Sequence, residues 1–389
     1  MKTDWQVKKL GEVCSFDKIQ GIYDNLPYVG LENIESNTAY FNGSIEPQSV
    51  KSATFKFSIQ HVLYGRLRPY LNKVLAPDFD GHCSTEIFPI KPAQVLLREY
   101  LLYWFLSDDV VNRINATCTG ARMPRANMNE VLEFDFLLPP IHEQRRIVAI
   151  LDQAFAGIAT AKANAEQNLK NARALFESHL QSVFTERGEG WVETTLSKAT
   201  GGVFTGPFGS LLHKRDYIEN GIPLVNPAHI TDAGIEPDLS KTVSIDTARR
   251  LSSYIMQEGD IVIARRGEMG RCALVTSVEN GWLCGTGSFI IKSSSQCNAS
   301  YLVRFLRSTK CKQQLEQIAG GAVMPNLSNT GLGDMTFSLP PIETQRAIVN
   351  KIDAIGHETQ HLKSIYQSKL TALDDLKKSL LNQAFSGDL

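Results

Sequence analysis

The stretch that decides the fold is Leu138-Pro139-Pro140-Ile141-His142-Glu143-Gln144-Arg145-Arg146-Ile147-Val148. A close copy begins 201 residues further along, as Leu339-Pro340-Pro341-Ile342-Glu343-Thr344-Gln345-Arg346-Ala347-Ile348-Val349. The same offset holds without a gap from Met123, which pairs with Met324, to Phe184. Chance similarity rarely keeps one register over such a length. The chain is therefore a tandem duplication, and we expect it to perform two similar tasks in one molecule.

Each repeat is predicted to end in a long helix. The proline pair ahead of Ile141 and of Ile342 suits the first turn of a helix, where a missing N–H group costs little. After Pro341 the chain contains no further proline, so nothing interrupts the second helix. The chain is thus predicted to hold two globular domains and two long helices, at residues 1–140, 188–341, 141–187 and 342–389.

The globular parts combine short apolar runs with turn residues, as in Ile261-Val262-Ile263 and Phe289-Ile290-Ile291. Short β-branched and aromatic runs between Gly, Pro, Asn and Asp are typical of strands joined by loops. One helix is expected near the end of each globular part, over residues 100–114 and 301–318. The expected fold class is α+β, with two similar domains.

The long helices carry a heptad pattern, which predicts that they pair as a coiled coil. One row of the predicted seam contains Leu151, Ile158, Ala165, Ala172 and His179 in the first helix and Ile352, Thr359, Tyr366, Leu373 and Leu380 in the second. The other row contains Ala154, Ala161, Asn168 and Leu175, and Ile355, Leu362, Lys369 and Leu376. The repeated Gln144, Arg145, Gln345 and Arg346 are assigned to the same helical surface, which would bind partners.

Two helices of about 63 Å would be too long for one small domain to cover, which favours pairing over two unrelated helices. Two copies of a unit this long make a poor translational stack, so a pseudo-two-fold arrangement is expected. It would set the two helices antiparallel, with a globular domain at each end.

The composition limits the classes of function. The formal net charge is −1, from 40 Lys and Arg against 41 Asp and Glu, so a role in DNA binding would need local basic loops or partners. Seven cysteines without CxxC spacing argue against a disulfide framework or a cysteine zinc site. The sequence has no apolar run of membrane-spanning length and no signal-peptide pattern at its start, so a cytoplasmic protein without membrane contact is expected.

Motifs for catalysis and cofactors are missing or weak. We find no Walker A motif, and neither the catalytic nor the donor-binding motif of a base-amino methyltransferase. Residues 357–361 match the HExxH pattern through His357 and His361, but the first repeat has Ala156 and Thr160 there and no third ligand is evident. We therefore expect no metal, no cofactor and no catalytic residues, and keep a zinc hydrolase as a remote alternative.

Basic residues recur beside Gly and Pro in loops. An arginine on such a loop can hydrogen-bond to guanine edges or to phosphates, although a solvated loop charge is the simpler interpretation of any one of them. The candidate DNA-binding residues are Arg66, Arg68, Arg122, Arg125, Lys214, Arg215, Arg265, Arg266 and Arg271.

The doubled Leu-Pro-Pro-Ile-x-x-Gln-Arg-x-Ile-Val motif resembles the conserved regions of type I restriction–modification specificity subunits. Gly206-Pro207-Phe208-Gly209-Ser210 and residues 259–265 resemble parts of their target recognition domains. In the first half, Arg68-Pro69-Tyr70-Leu71 and Cys83-Ser84-Thr85-Glu86 do so as well. The resemblance covers the whole chain in the expected order.

This resemblance implies a non-catalytic subunit that recognises double-stranded DNA with a split target. Its implied partners are two methyltransferase subunits and, for restriction, translocase–nuclease subunits. Each globular domain would read one part of the target, and the coiled coil would fix the distance between the parts. The alternative is a coiled-coil scaffold that binds only protein and has no DNA specificity.

Overall fold

The structure is a computed structural model, and it describes residues 4–120, 122–185, 187–207, 211–319 and 326–389. Three positions of the motif Gly206-Pro207-Phe208-Gly209-Ser210 lie outside these ranges, namely Phe208, Gly209 and Ser210. Met324, which is part of the repeat, also lies outside them.

The chain divides into two compact units, and each unit takes a part of both long helices. One unit comprises residues 1–168 and 365–389, and the other comprises residues 169–364. Each unit has its own apolar core of buried strands and helices.

Among its described residues, the first repeat contains ten strands and four short α-helices ahead of its long helix. In chain order they are β1 (Gln6–Lys9), α1 (Leu10–Val13), β2 (Cys14–Phe16), β3 (Gln20–Gly21), β4 (Tyr28–Val29), β5 (Thr54–Phe57), β6 (Val62–Gly65), β7 (Val74–Leu75), β8 (Gly81–Cys83), β9 (Ile87–Pro92), α2 (Arg98–Leu106), α3 (Asp108–Ala116), α4 (Met128–Leu132), β10 (Asp135–Leu138) and the long helix α5 (Ile141–Thr185).

The second repeat follows nearly the same order. Its elements are β11 (Val192–Thr195), α6 (Leu196–Ala199), β12 (Val203–Thr205), β13 (Tyr217–Ile218), β14 (Leu224–Val225), β15 (Thr242–Val243), α7 (Ile245–Arg250), β16 (Ile261–Ala264), β17 (Cys272–Leu274), β18 (Leu283–Cys284), β19 (Ser288–Ile291), α8 (Ala299–Arg307), α9 (Thr309–Ile318), α10 (Asn329–Gly333), β20 (Thr336–Leu339) and the long helix α11 (Ile342–Ser386).

The same antiparallel sheet lies at the centre of both domains. Its strand order is β2-β9-β6-β7 in the first repeat and β12-β19-β16-β17 in the second. The central strands β6 and β16 are buried along their whole length, because they have neighbours on both sides and side chains packed on both faces. The predicted α+β class and the predicted strands at Ile261-Val262-Ile263 and Phe289-Ile290-Ile291 are confirmed.

The prediction of one helix at the end of each globular part is wrong, since two short helices occupy each place. Ser107 separates α2 from α3, and Ser308 separates α8 from α9, both with extended backbone (ψ 138° and 148°). The Ser308 hydroxyl caps α9 by accepting a hydrogen bond from Cys311 N at 3.3 Å. Each serine hydroxyl also donates to the preceding helix, to Trp104 O or Phe305 O.

The long helices begin where the proline pairs predict, at Ile141 and Ile342. A two-stranded ribbon leads into each of them: β1 pairs with β10, and β11 pairs with β20. The first strand of each domain is thereby joined to the strand that runs straight into the long helix.

The two long helices run antiparallel within the unit of residues 1–168 and 365–389. In the unit of residues 1–168 and 365–389, Lys162 Nζ lies 2.7 Å from Asp374 Oδ1, and Lys377 Nζ lies 5.3 Å from the ring centre of Phe155. Residues further along α5 thus meet residues earlier in α11. In the other unit, the Phe176 ring packs against Gly356.

One row of the predicted seam is confirmed, and the other is displaced by one residue. The row with Leu151, Ile158, Ala165 and Ala172 is buried, but Leu175, Leu362 and Leu376 are exposed, while Ile355 is half-buried. The positions that pack instead lie one residue later. They are Phe155, Lys162, Leu169 and Phe176 in α5, and Gly356, Lys363, Leu370 and Lys377 in α11.

Gln144 and Gln345 do not lie on a partner-binding surface, contrary to the prediction from the sequence. Both side chains are completely buried at the joint between domain and long helix. Gln144 Oε1 accepts from Leu97 N at 2.8 Å, and its Nε2 donates to Val95 O and Pro139 O, both at 2.8 Å. Gln345 forms the same three bonds in the second repeat, whereas Arg145 and Arg346 are exposed.

Among the described residues, none of the helices combines the length and the apolar character needed to cross a lipid bilayer.

Candidate nucleic-acid interface

Several loops meet at one edge of the central sheet in the first domain. Because β2 and β6 both run antiparallel to β9, they end at the same edge, where β9 begins. The residues that follow β2 and β6, and those that precede β9, therefore lie close together. They include Lys18, Arg66 and Glu86.

A second chain segment joins this edge. Residues 122–126 lie beside the loop that follows β6, through a bridge between Leu67 and Arg125. Arg68 N donates to Pro124 O at 2.7 Å, and Ala126 N donates to Arg66 O at 2.9 Å. The structure thus brings together four of the predicted DNA-binding residues, Arg66, Arg68, Arg122 and Arg125, on two adjoining segments.

Glu86 binds two of these arginines. Arg125 donates to its carboxylate from Nε, at 3.0 Å to Oε1, and from Nη2, at 2.8 Å to the same oxygen. Arg66 Nε donates to Oε2 at 3.0 Å. Sequence reasoning missed this role of Glu86, because the three residues are far apart along the chain.

The electrostatics of this cluster favour the charged forms. Partial burial acts to raise the pKa of Glu86, but hydrogen bonds from Arg125 and Arg66 outweigh it and lower that pKa. The same hydrogen bond and charge raise the pKa of Arg125. The cluster is therefore a carboxylate held between two cations, with one net positive charge.

Further cations surround this cluster. Arg68 and Arg122 are exposed, and no described side-chain contact holds either of them. Lys18 Nζ lies 4.9 Å from the ring centre of Phe88, and the Arg66 guanidinium carbon lies 5.3 Å from the same centre. The sequence patterns did not single out Lys18, because it is not beside Gly or Pro; its position two residues after β2 is the feature that brings it to this edge.

The second domain builds the corresponding edge with different side chains. Leu327 N donates to Arg265 O at 2.9 Å, and Arg266 forms a bridge with Asn326. Arg265 is half-buried, with its Nε donating to Leu327 O at 3.0 Å and its guanidinium carbon 5.7 Å from the ring centre of Phe289. Arg266 is exposed beside them.

Gly287 takes the place that Glu86 occupies in the first domain. Its φ of +95° suits glycine, and a Cβ atom there would lie 3.2 Å from Arg266 Nε. Gly287 therefore places no carboxylate beside Arg266, which stays a free surface cation in the described part of the domain.

The remaining predicted cations lie elsewhere. Arg271 is tied to Glu268, with Nη2 3.3 Å from Oε2, and Glu268 also binds Lys312 at 3.1 Å. Lys214 and Arg215 are exposed on a 3₁₀ turn at Lys214–Asp216. Among the described contacts, none links this turn to the loop after β16.

The HExxH segment lies within the long helix α11. His357 and His361 are both exposed on α11. Within the described ranges, no group of three or more His, Cys, Asp or Glu side chains could hold a metal ion.

Comparison with known proteins agrees with this doubled architecture. The sequence profile of the type I restriction modification DNA specificity domain matches this chain twice, at residues 2–171 and 201–370. The chain belongs to this family. Both matches contain a complete central sheet, the arginine-bearing edge and the start of a long helix.

Similar individual proteins fit the same family of specificity domains. The chain is 30% identical over 169 residues to the type I restriction enzyme EcoDI specificity subunit of Escherichia coli, an alignment that covers 43% of this chain and 37% of that protein. The crystal structure of the HsdS subunit from Thermoanaerobacter tengcongensis shares the fold, with a TM-score of 0.71 and 22% identity over 100% of this chain and 98% of that one.

A chain from a structural study of complex assembly and conformational transition in the type I R-M system also shares the fold. It gives a TM-score of 0.76 and 22% identity, and the match covers 100% of this chain and 99% of that one. The specificity-domain fold therefore extends over the whole of the present chain.

Proposed function

We propose that this chain is the DNA-recognition subunit of a type I restriction–modification complex. Residues 1–140 and 188–341 would be its two target recognition domains, and the long helices at 141–187 and 342–389 would connect them. Each domain would read one part of a split target in double-stranded DNA.

The sheet edge with its arginines carries this proposal, since it recurs at equivalent positions in both repeats. Arg66 and Arg265 each directly follow a buried central strand, so their backbone is fixed while their side chains reach the surface. To read a DNA base in a groove, an arginine needs a rigid backbone and an accessible guanidinium. Arg68, Arg122 and Arg266 would contact phosphates nearby.

The near-neutral net charge of −1 favours partners that share the grip on DNA. The long helices offer two equivalent surfaces for them. Leu175 and Leu376, which correspond in the repeat, are 70% and 47% exposed. Exposed leucines at the same position of both repeats favour the binding of one methyltransferase subunit to each long helix. Restriction subunits would join the complex through the methyltransferase subunits.

Chemistry would belong to those partners, so the chain itself would be non-catalytic and without a cofactor of its own. Such a complex would act on DNA in the cytoplasm. The exposed cations and leucines of this chain suit a subunit that positions DNA for another protein.

The test is to co-express the chain with its methyltransferase subunit in a host without other DNA modification, and to map methylated adenines across the genome. We expect one split target, with two defined parts separated by a fixed number of unread base pairs. The purified chain alone should transfer no methyl group from S-adenosylmethionine. A continuous target, an unmethylated genome or robust transfer by the chain alone would contradict the proposal.

A further inference from the structure

One arginine in each domain is held in the same unusual way. Arg66 and Arg265 follow β6 and β16 directly. Each backbone N–H donates to the residue just ahead of β9 or β19, to Glu86 O at 2.9 Å and to Gly287 O at 2.8 Å. The two residues therefore occupy equivalent places at the sheet edge.

The side chains are also held alike. Each guanidinium carbon lies near an aromatic ring from the neighbouring strand, 5.3 Å from the centre of Phe88 or 5.7 Å from that of Phe289. Each Nε donates to an acceptor at 3.0 Å, the Glu86 carboxylate for Arg66 and the Leu327 carbonyl for Arg265. In both repeats, therefore, the arginine Nε is held by an acceptor and one face of the guanidinium is held by an aromatic ring.

This support leaves the far edge of the Arg66 guanidinium available. Its Nη1 and Nη2 donors make no hydrogen bond within the described residues, and the side chain is 33% exposed. Two parallel N–H groups at that edge match the O6 and N7 acceptors of guanine in the major groove. A guanidinium fixed in advance loses little side-chain freedom on binding, which favours a base contact over a loose phosphate contact.

We infer that Arg66 and Arg265 each read a guanine, one in each half of the target, and that Glu86, Phe88, Phe289 and the Leu327 carbonyl position them. This inference rests on the proposed DNA-recognition function. Arg68, Arg122 and Arg266 lack such support, so they serve as unspecific phosphate contacts.

The two domains differ in one testable respect. The carboxylate of Glu86 carries a negative charge at a surface that would face phosphates, whereas the Leu327 carbonyl does not. Removing that charge while keeping the side-chain shape should free Arg66 and Arg125 as cations. Recognition of the guanine should then weaken, while binding to unrelated DNA should strengthen.

The experiment uses the complex with the methyltransferase subunit and the target found by methylation mapping. Binding is measured for the wild type, Arg66→Lys, Arg265→Lys and Glu86→Gln, on target duplexes with each guanine replaced by 7-deazaguanine in turn, and on scrambled DNA. Arg249→Lys is the matched control, because it makes the same exchange at an exposed arginine of α7 that is not among the proposed DNA contacts.

We expect wild-type binding to fall about tenfold to a hundredfold at one guanine in each half. Arg66→Lys should lose the discrimination in one half only, and Arg265→Lys in the other, while Arg249→Lys keeps both. Glu86→Gln should bind the target more weakly and scrambled DNA more tightly.

A wild-type complex that does not bind a split target refutes the proposed function itself. If it binds, the inference fails when a recognised half contains no G·C pair, when the lysine variants keep full discrimination, or when both affect the same half. If Glu86→Gln changed binding to target and to scrambled DNA equally, Glu86 would have only a structural role, and the proposal that it positions Arg66 would be wrong.

Discussion

Gln144 and Gln345 explain, at the scale of single residues, why the repeated motif contains a glutamine. Each amide satisfies one backbone N–H and two backbone carbonyls at a buried joint, where water cannot replace them. The glutamine thus fixes the start of the long helix against the loop that precedes α2 or α8.

Replacing Gln345 with alanine should destabilise the second unit by about 3 kcal/mol, because three buried backbone groups lose their partner. The measurement is chemical denaturation followed by circular dichroism. Gln360→Ala, at an exposed position of the same helix, is the control and should change stability by less than about 0.5 kcal/mol. A loss no larger than that of the control would show that the buried amide is not needed.

Cys118 is the one cysteine of the seven that is not buried. Burial raises the pKa of the other thiols, to about 12 for Cys14 and Cys272, so little reactive thiolate forms at neutral pH. The pKa of Cys118 is also raised by partial burial. Its neighbour Thr119 pairs with Arg125 at the arginine-bearing edge.

Iodoacetamide should therefore modify Cys118 first in the native protein, and target DNA should slow this reaction in the assembled complex. Peptide mass spectrometry over time measures both effects, and Cys118→Ser removes the fast reaction. Scrambled DNA is the matched control and should protect less. Equal labelling with and without target DNA would place the edge away from the bound duplex.

At the scale of elements, the heptad pattern predicted one row of the coiled-coil seam correctly and placed the other one residue too early. The confirmed row was visible because its apolar residues recur every seven positions. The predicted second row contains Asn168 and Lys369, but the row that packs contains Lys162, Lys363 and Lys377, so residue polarity alone could not place it. Two rows related by one residue differ by about 100° around a helix, which turns Leu175 from the seam to solvent.

The exposed leucines of the long helices should bind partners. Leu175→Asp and Leu376→Asp should each remove one methyltransferase subunit from the complex without lowering the stability of the free chain. Native mass spectrometry gives the stoichiometry, and Ala163→Asp, an exposed change on α5, is the control. Full assembly by the double variant would contradict this use of the helices.

Other features could not be read from the sequence. The serines that divide the short helix pairs act through ψ angles and hydroxyl bonds that no hydrophobic pattern encodes. Glu86 lies 20 residues from Arg66 and 39 from Arg125, so their contact depends on strand pairing across the sheet. The proline pairs and the two strand runs were local signals, and they correctly predicted the starts of the long helices and the strands at residues 261–263 and 289–291.

At the scale of the whole molecule, the duplication provides two separate cores and two equivalent arginine-bearing edges. Each domain closes its own sheet and joins its own long helix through a strand ribbon and a buried glutamine. Independent cores favour independent reading, because a change inside one domain need not alter the packing of the other.

The most direct test of this account is to replace residues 191–337 with the equivalent domain of a related specificity subunit and to map methylated adenines in the host genome. The account predicts a hybrid target in which one half is unchanged and the other half matches the donor of the new domain. If both halves of the target change, or if neither does, the two domains do not read DNA separately and the central claim is wrong.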